Sequence, residues 1–467
     1  MNNQNSVAVP LVSANVDLHL ADTGNASVFA QHHRQYVRYC FRTRKWYCWD
    51  GKKWAEDNSG EIQQRAIATA QSLLLFGTKL QDSDRRDKFV KHGLRSLSEQ
   101  RIRAMVILAQ SQPEIPIQIS DFDTDQWLLN VLNGTIDLKT GELRPHRRED
   151  LITKLVPVAH DPAATCPRWE QFLSEIMPDD PDGIRHLQKA IGYSLTGSIQ
   201  EHVFFILHGP GANGKSTFII IIHRLLDSYA KKTPTETLLV KSSNGINNDV
   251  ARLNGARFVS ADEAENGKHL AVALVKQLSG GDKVAARFLY GEHFEFEPTF
   301  KIFLDVNHRP VIRGSDPAIG RRLRLIPFNV TIPPDKRDKN LVSKLEAELP
   351  GILRWAVEGC LLWQREGLDS PKSVTNATEA YMSEMDDVGD FINECCEVLP
   401  SAKTPFKDLF SRYQQWCSLS GDAPIRSQEF ATALEERGFS AGRTKAGRYR
   451  IGIRPKKVTG TVTGDIW

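Results

Sequence analysis

The rhythm of hydrophobic and polar positions changes several times along the chain, and each change predicts an element. Residues 1 to about 20 are polar and aperiodic, which predicts a flexible arm. In RYCFRTRKWYCWDGKKW (38–54) apolar and polar residues alternate around Asp50-Gly51, the pattern of a β-hairpin. From about 61 to 110 the apolar positions recur every three or four residues, as in IQQRAIATAQSLLLF and LSEQRIRAMVILAQ, and predict helices. Short β-like runs then flank Asn133-Gly134 and Thr140-Gly141 in LLNVLNGTIDLKTGELRP. Residues 21–165 therefore read as a mixed α/β front domain. The acidic cluster Asp121, Asp123 and Asp125 within it fits a loop or helix cap better than a metal site, because no partner His or downstream carboxylate completes a ligand set.

Two amphipathic helices, broken by a Pro- and Asp-rich centre, are predicted over 166 to about 200. Four apolar runs follow: VFFILH (203–208), RFVSADE (257–263), TFKIFLDVN (299–307) and LRLIPF (323–328). Such runs with helical text between them predict a parallel sheet covered on both faces. The fold class is therefore α/β, with a nucleotide-binding core over 166–335. Helices resume over 336–395. Residues 396–467 form a distinct tail, in which TPFKDLFSRYQQWCSLSG and IRSQEFATALEERGF predict two helices and RTKAGRYRIGIRPKK a hairpin turning near Gly447.

Composition narrows the class without naming it. With 467 residues, 40% hydrophobic and 25% charged, the chain has ordinary globular composition and room for roughly three domains. No apolar run approaches the ~18 residues of a membrane-spanning helix, and MNNQNSVAVP lacks the start of a secretory signal, so a soluble, cytoplasmic protein with no membrane partner is expected. Seven scattered cysteines without a CxxC pair read as reduced thiols. Charge is uneven: residues 401–467 hold 12 basic and 6 acidic side chains, against 48 and 51 in residues 1–400. Seven basic residues and no acid lie between Arg443 and Lys457. This marks the tail as a duplex-DNA-binding wing, with Arg443, Lys445, Arg448 and Arg450 as candidate contacts; a small protein-docking domain is the alternative. Helix, helix and two-stranded wing is the winged-helix arrangement, which would place Ser427, Gln428 and Arg437 on or near a recognition helix.

The chemistry concentrates in GPGANGKST, directly after the first buried run and before the apolar FIIIIHRLL. This is the phosphate-loop pattern in its strand–loop–helix context. Gly209, Pro210, Gly211, Ala212, Asn213, Gly214, Lys215, Ser216 and Thr217 form the expected ATP-binding loop. Backbone N–H groups surround the phosphates, Lys215 reaches the β- and γ-phosphates, and Ser216 offers its hydroxyl to Mg²⁺. Hydrolysis also needs a held metal and an oriented water. Asp262 and Glu263, closing RFVSADE, stand where open α/β sheets bind ligands and suit those two tasks. Asn307, at the end of TFKIFLDVN, suits sensing of the γ-phosphate. Arg322 is the candidate finger that stabilises the transferring phosphoryl group from a neighbouring subunit, with Arg321 its nearest competitor.

Taken together, GPGANGKST, FVSADEAE, KQLSGGDKVAAR with FEFEPTFKIFLDVNHRP, and GRRLRLIPF resemble the superfamily III helicases, specifically the primase-helicase branch of phages, plasmids, satellite phages and poxviruses. WLLNVLNGTIDLKTGELRPHRRED (127–150) looks like the segment that precedes the motor in that branch. The resemblance implies a P-loop core of AAA+ type, a homo-hexameric or similar ring with ATP and Mg²⁺ at subunit interfaces, and 3′ to 5′ movement on single-stranded DNA in a bacterial host cell. It also implies that Lys276, Lys283, Arg287, Tyr290 and His293 line a DNA channel; basic side chains and a stacking ring suit that use independently. No primase-polymerase signature precedes residue 120, so priming is expected from a separate primase or polymerase, or the chain is a fragment of a longer primase-helicase. Gln200, Glu201 and His202 offer no basic sensor before the loop. An ATP-switched initiator that marks an origin and recruits another helicase would carry the same loop, as would an RNA helicase.

Overall fold

A computed structural model describes residues 19–240, 248–262, 268–288, 292–312, 317–420, 424–444 and 447–456. The front of the chain is a helix, Asp22–His33, a three-stranded antiparallel sheet (Val37–Cys40, Lys45–Trp49, Trp54–Glu56) and three helices, Glu61–Thr78, Ser83–Ser96 and Glu99–Ala109. The hairpin around Asp50 forms because the Asp50 carboxylate accepts the amides of Lys52 and Lys53, fixing the turn. A second antiparallel sheet, Leu128–Val131, Gly134–Asp137 and Glu142–Arg144, turns at Leu132-Asn133, one residue before the expected Asn133-Gly134 because Gly134 already pairs with Val131, and around Thr140-Gly141. Asp123 serves as a loop brace, accepting from Thr153 N and pairing with Lys154 at 2.7 Å.

The centre is a five-stranded parallel sheet. After Pro167–Ile176 and α1 (Pro181–Leu195) come β1 (Phe204–His208), α2 (Lys215–Leu226), β2 (Ala230–Thr233), β3 (Phe258–Asp262), β4 (Lys301–Val306) and β5 (Leu323–Pro327). The order across the sheet is β5-β1-β4-β3-β2. The first strand thus lies inside the sheet, and every carboxyl end points to one edge. All four apolar runs form strands, and the apolar residues Phe204, Phe205, Ile206, Leu207, Phe258, Val259, Ile302, Phe303, Leu304, Leu323, Leu325 and Ile326 are buried. β2 escapes a reading based on apolar runs. It is an edge strand, AKKT, whose two lysines face out while Ala230 and Thr233 are buried.

One core extends from Leu129 and Val131 of the second antiparallel sheet, through Trp169, Phe205, Phe218 and Phe303, to α3 (Leu349–Glu366) and Val374. α1 and α3 cross with backbones almost touching. A Cβ on Gly192 would stand 2.0 Å from the amide nitrogen of Cys360, and one on Gly359 would stand 2.2 Å from the carbonyl oxygen of Gln188. Two buried cations brace this body without a carboxylate. Arg257 donates to the carbonyls of Leu195 (2.6 Å), Leu128 (2.9 Å) and Asp125 (3.3 Å), and Lys301 to those of Thr196 (2.6 Å) and Ser198 (3.0 Å). Leu195, Thr196 and Ser198 lie at or just beyond the end of α1, so both cations satisfy carbonyls that the helix leaves open.

The tail has its own core, which includes Val388, Phe391 and Ile392 from helix Asp387–Cys395. After that helix come strand Cys396–Pro405, helices Phe406–Ser420 and Ser427–Glu436, and strands Ala441–Thr444 and Gly447–Pro455. The last strand lies between the other two, antiparallel to both. Among the described residues no helix is long and apolar enough to cross a membrane. None of the seven cysteines is in a disulfide, and six of them are buried.

Candidate functional site

The loop between β1 and α2 is shaped by residues that only small or left-handed backbone permits. Gly211, Ala212 and Gly214 have φ of 91°, 49° and 86°. Gly209 passes so close to Phe328 that a Cβ there would lie 2.1 Å from its carbonyl oxygen. The loop is clamped by the chain after β5: Asn213 Nδ2 donates to Phe328 O (3.0 Å), and Ile332 N donates to Ala212 O (2.8 Å). This turn delivers Lys215 to the first position of α2, at the carboxyl edge of the sheet.

Lys215 is 2% exposed. Its ammonium donates to Gly209 O (2.9 Å), Asn307 Oδ1 (3.0 Å) and Asn213 Oδ1 (3.2 Å). Asn307 follows β4 directly, so the pairing of β4 with β1 brings a residue 92 positions away onto the lysine. Ser216 is exposed, and its hydroxyl donates to Asp305 Oδ2 at 2.8 Å; the other oxygen of Asp305 is 3.9 Å from Lys215 Nζ. Sequence reasoning missed Asp305. The signal was present, since residues two apart on a strand share a face and Asp305 stands two before Asn307.

Asp262 is in register with Asp305 on the neighbouring strand, so its backbone ends at the same edge. The Asp262 side chain, Glu263, Tyr290 and Lys445 lie outside the described residues. A cavity of about 410 Å³ opens beside the loop, lined in part by Ser216, His223, Lys232, Asp305 and Asn307. His223 is hydrogen-bonded to Ser260 Oγ (2.7 Å), tying α2 to β3 two residues before Asp262. Burial, with Arg309 and then Lys215 nearby, holds His208 below its ordinary pKa. The donor set of a hydroxyl and a carboxylate is made of hard oxygens, which suits Mg²⁺, and the lysine and left-handed turn at a helix start suit phosphate.

Arg322 stands elsewhere. It ends the short helix Pro317–Arg322, just before β5, whose first residue pairs with Phe204 at the start of β1. It therefore lies at the amino edge, the far side of the sheet from Lys215. Its guanidinium donates to Ala318 O (3.1 Å) and sits beside Gly280, while Arg321 is exposed.

Of the expected DNA contacts, Lys283, His293, Arg443 and Arg448 are exposed, and Lys276 and Arg287 are half-buried. Arg287 and His293 face each other across the antiparallel hairpin Val284–Arg287 and His293–Phe296. Arg450 is a correction to the expected exposed contact. It is 4% exposed, donates to Glu435 Oε1 (2.7 Å), Ala431 O (2.9 Å) and Phe439 O (3.3 Å), and lies over the Phe406 ring, so its guanidinium is engaged within the tail. Position along the strand separates it from Arg448. Arg448 pairs with Arg443 near the hairpin tip, whereas Arg450 lies deeper, between Thr404 and Ala441, where the sheet packs on the tail helices. Arg437 is likewise engaged, paired with Asp386.

Three family models match separate stretches: "D5 N terminal like" over residues 26–178, a family of unknown function over 207–322, and "Poxvirus D5 protein-like" over 383–453. A protein of Acanthamoeba polyphaga mimivirus, provisionally named a helicase, is 26% identical over 416 residues, 81% of this chain and 43% of its own length. A similarly named protein of Frog virus 3 is 27% identical over 306 residues, 61% of this chain and 30% of its own length. The chain thus spans less than half the length of these relatives. In fold it is similar to the C-terminal region of NrS-1 in its apo form, with a TM-score of 0.51 at 10% identity, covering 90% of this chain and 96% of that one. Sequence likeness is therefore to D5-like viral proteins named as helicases, and the fold likeness extends over nearly the whole chain.

Proposed function

We propose that the chain is an ATP-driven DNA helicase of the superfamily III type that serves replication of a mobile element. The observation that carries this reading is the arrangement around Lys215. A buried ammonium on a left-handed loop is held by Asn307 from the adjacent strand, and a hydroxyl and a carboxylate stand beside it. The likeness to D5-like helicases supports it.

In this reading residues 209–217 bind the ATP phosphates, and Ser216 with Asp262 holds Mg²⁺, which supplies charge neutralisation of the transferring phosphoryl group. Lys215 moves from its resting acceptors to the phosphates, Glu263 orients the attacking water, and Asn307 reports the γ-phosphate. The placement of β1 between β5 and β4 agrees with an AAA+ type core. Arg322 lies too far from the loop of its own chain, which favours a ring in which it reaches a neighbour's site. Lys276, Lys283, Arg287, Tyr290 and His293 face single-stranded DNA in the ring channel. The tail's helix–strand–helix–helix–hairpin order fits a winged helix, and Arg443, Lys445 and Arg448 are its duplex contacts. Movement is 3′ to 5′, and a primase or polymerase is a partner in the same replication.

Strand displacement on duplexes with 3′ or 5′ tails tests this directly. ATP-dependent opening of the substrate that offers a 3′ loading strand, abolished in Lys215→Ala, is expected. ATPase that ignores single-stranded DNA of arbitrary sequence and responds only to one cognate duplex would overturn the motor in favour of an origin-marking switch.

A further inference from the structure

We infer that Asp305 is a positioning residue for the metal half of the nucleotide site, acting through the hydroxyl of Ser216. This rests on the nucleotide-binding reading above and deepens it. Asp305 is 9% exposed, and its Oδ2 accepts the Ser216 hydroxyl proton at 2.8 Å. A serine hydroxyl has one proton and two lone pairs. To serve a divalent cation it must aim a lone pair at the metal, and its proton then needs an acceptor on the opposite side. Asp305 is that acceptor. A carboxylate makes the bond charge-assisted, fixes the rotor, and leaves the serine oxygen more electron-rich, as outer partners do for metal ligands generally.

A simpler role, neutralising Lys215, fits the geometry less well. Asp305 Oδ1 is 3.9 Å from the ammonium, beyond hydrogen-bond range, while Gly209, Asn213 and Asn307 supply three closer acceptors. The pairing of β4 with β3 sets Asp305 beside Asp262, so the edge carries two acids with separate tasks. Asp262 keeps the metal role, and Asp305 stands behind the hydroxyl that shares it.

The test is equilibrium binding of ATPγS by calorimetry, in EDTA and then in Mg²⁺, for the wild type, Asp305→Asn, Ser216→Ala and the double variant, each with its melting temperature. Asp305→Asn should leave affinity in EDTA unchanged and cut the gain conferred by Mg²⁺ by about 10- to 100-fold, the usual effect of removing an outer partner of a metal ligand. Because the effect passes through Ser216, the double variant should match Ser216→Ala within about twofold, instead of showing the product of the two single effects. Equal weakening in EDTA and in Mg²⁺, an unchanged Mg²⁺ gain, or full additivity with Ser216→Ala would each overturn the proposal. Failure of the wild type to bind ATPγS at all, or binding by Lys215→Ala that matches the wild type, would instead overturn the nucleotide site itself.

Discussion

Mixing two crippled subunits gives the sharpest test of where each ATP site is completed. Arg322 precedes β5, whose first residue is paired with the first residue of β1, whereas Lys215 lies past the far end of β1. The five residues of β1 alone span roughly 15 Å at about 3.3 Å each, more than an arginine side chain bridges. The Arg322 guanidinium also points away, onto Ala318 and Gly280. If the finger serves the neighbouring subunit, Arg322→Ala and Lys215→Ala should each lower turnover by at least about a thousandfold, the lower end of what a finger contributes. In a one-to-one random mixture, about a quarter of the interfaces in a head-to-tail ring join an intact loop to an intact finger. Independent sites would then recover about a quarter of wild-type ATPase, whereas a ring needing every site at once would recover nothing, because two successive interfaces cannot both be repaired. The assay is steady-state phosphate release across mixing ratios, with native mass spectrometry to show mixed rings. If wild-type rings keep activity when diluted with Lys215→Ala subunits, a mixed ring with no recovery at any ratio would refute the argument, because a site completed within one chain leaves every subunit with one lesion.

Lys215→Ala alone should abolish hydrolysis and unwinding while leaving the melting temperature within a few degrees of wild type. Its ammonium bonds Gly209 and Asn213 of the loop and Asn307 after β4, polar acceptors at the carboxyl edge, and calorimetry with DNA unwinding reads both effects. Deleting the tail from residue 387 should flatten the salt dependence of duplex binding by about 0.9 in log–log slope for every phosphate the tail neutralises, and spare single-strand-stimulated ATPase. A cut at 396 should aggregate by comparison, since it strips the cover from Phe391 and Ile392. Burial holds the pKa of Lys301 well below the usual lysine value of 10.5, so in the interval between the two the unfolded chain binds the extra proton and stability rises with pH. Urea midpoints should climb as the pH approaches 10.5 from below in the wild type and show no such slope in Lys301→Met.

The strands of the sheet and the loop were legible because a buried parallel strand reads as a continuous apolar run, and a phosphate loop has a fixed spacing. Two edge strands were not: Ala230–Thr233 and Cys396–Pro405 expose consecutive residues and look like loop text. Charge alone also misled at Arg450, since nothing in RTKAGRYRIGIRPKK distinguishes an arginine folded under the wing from one facing out. Asp305 was overshadowed by Asn307, although their two-residue spacing puts both on one face at the end of β4. The sharing of one core between the second antiparallel sheet and α3 is a tertiary fact, and no local pattern around Leu129 or Cys360 announces it.

The glycine-lined crossing of α1 and α3 delays closure of the core during synthesis. The core that opens at Leu129 cannot shut until α3 lies in the groove at Gly192, and its last member is Val374. At the usual pace of a ribosome, roughly 10–50 s separate the appearance of those two ends. Until then Trp169, which packs against Trp355 of α3, and the Gly192 face of α1 lack the helix that covers them, so a chain that stops before the end of α3 keeps apolar surface open to solvent.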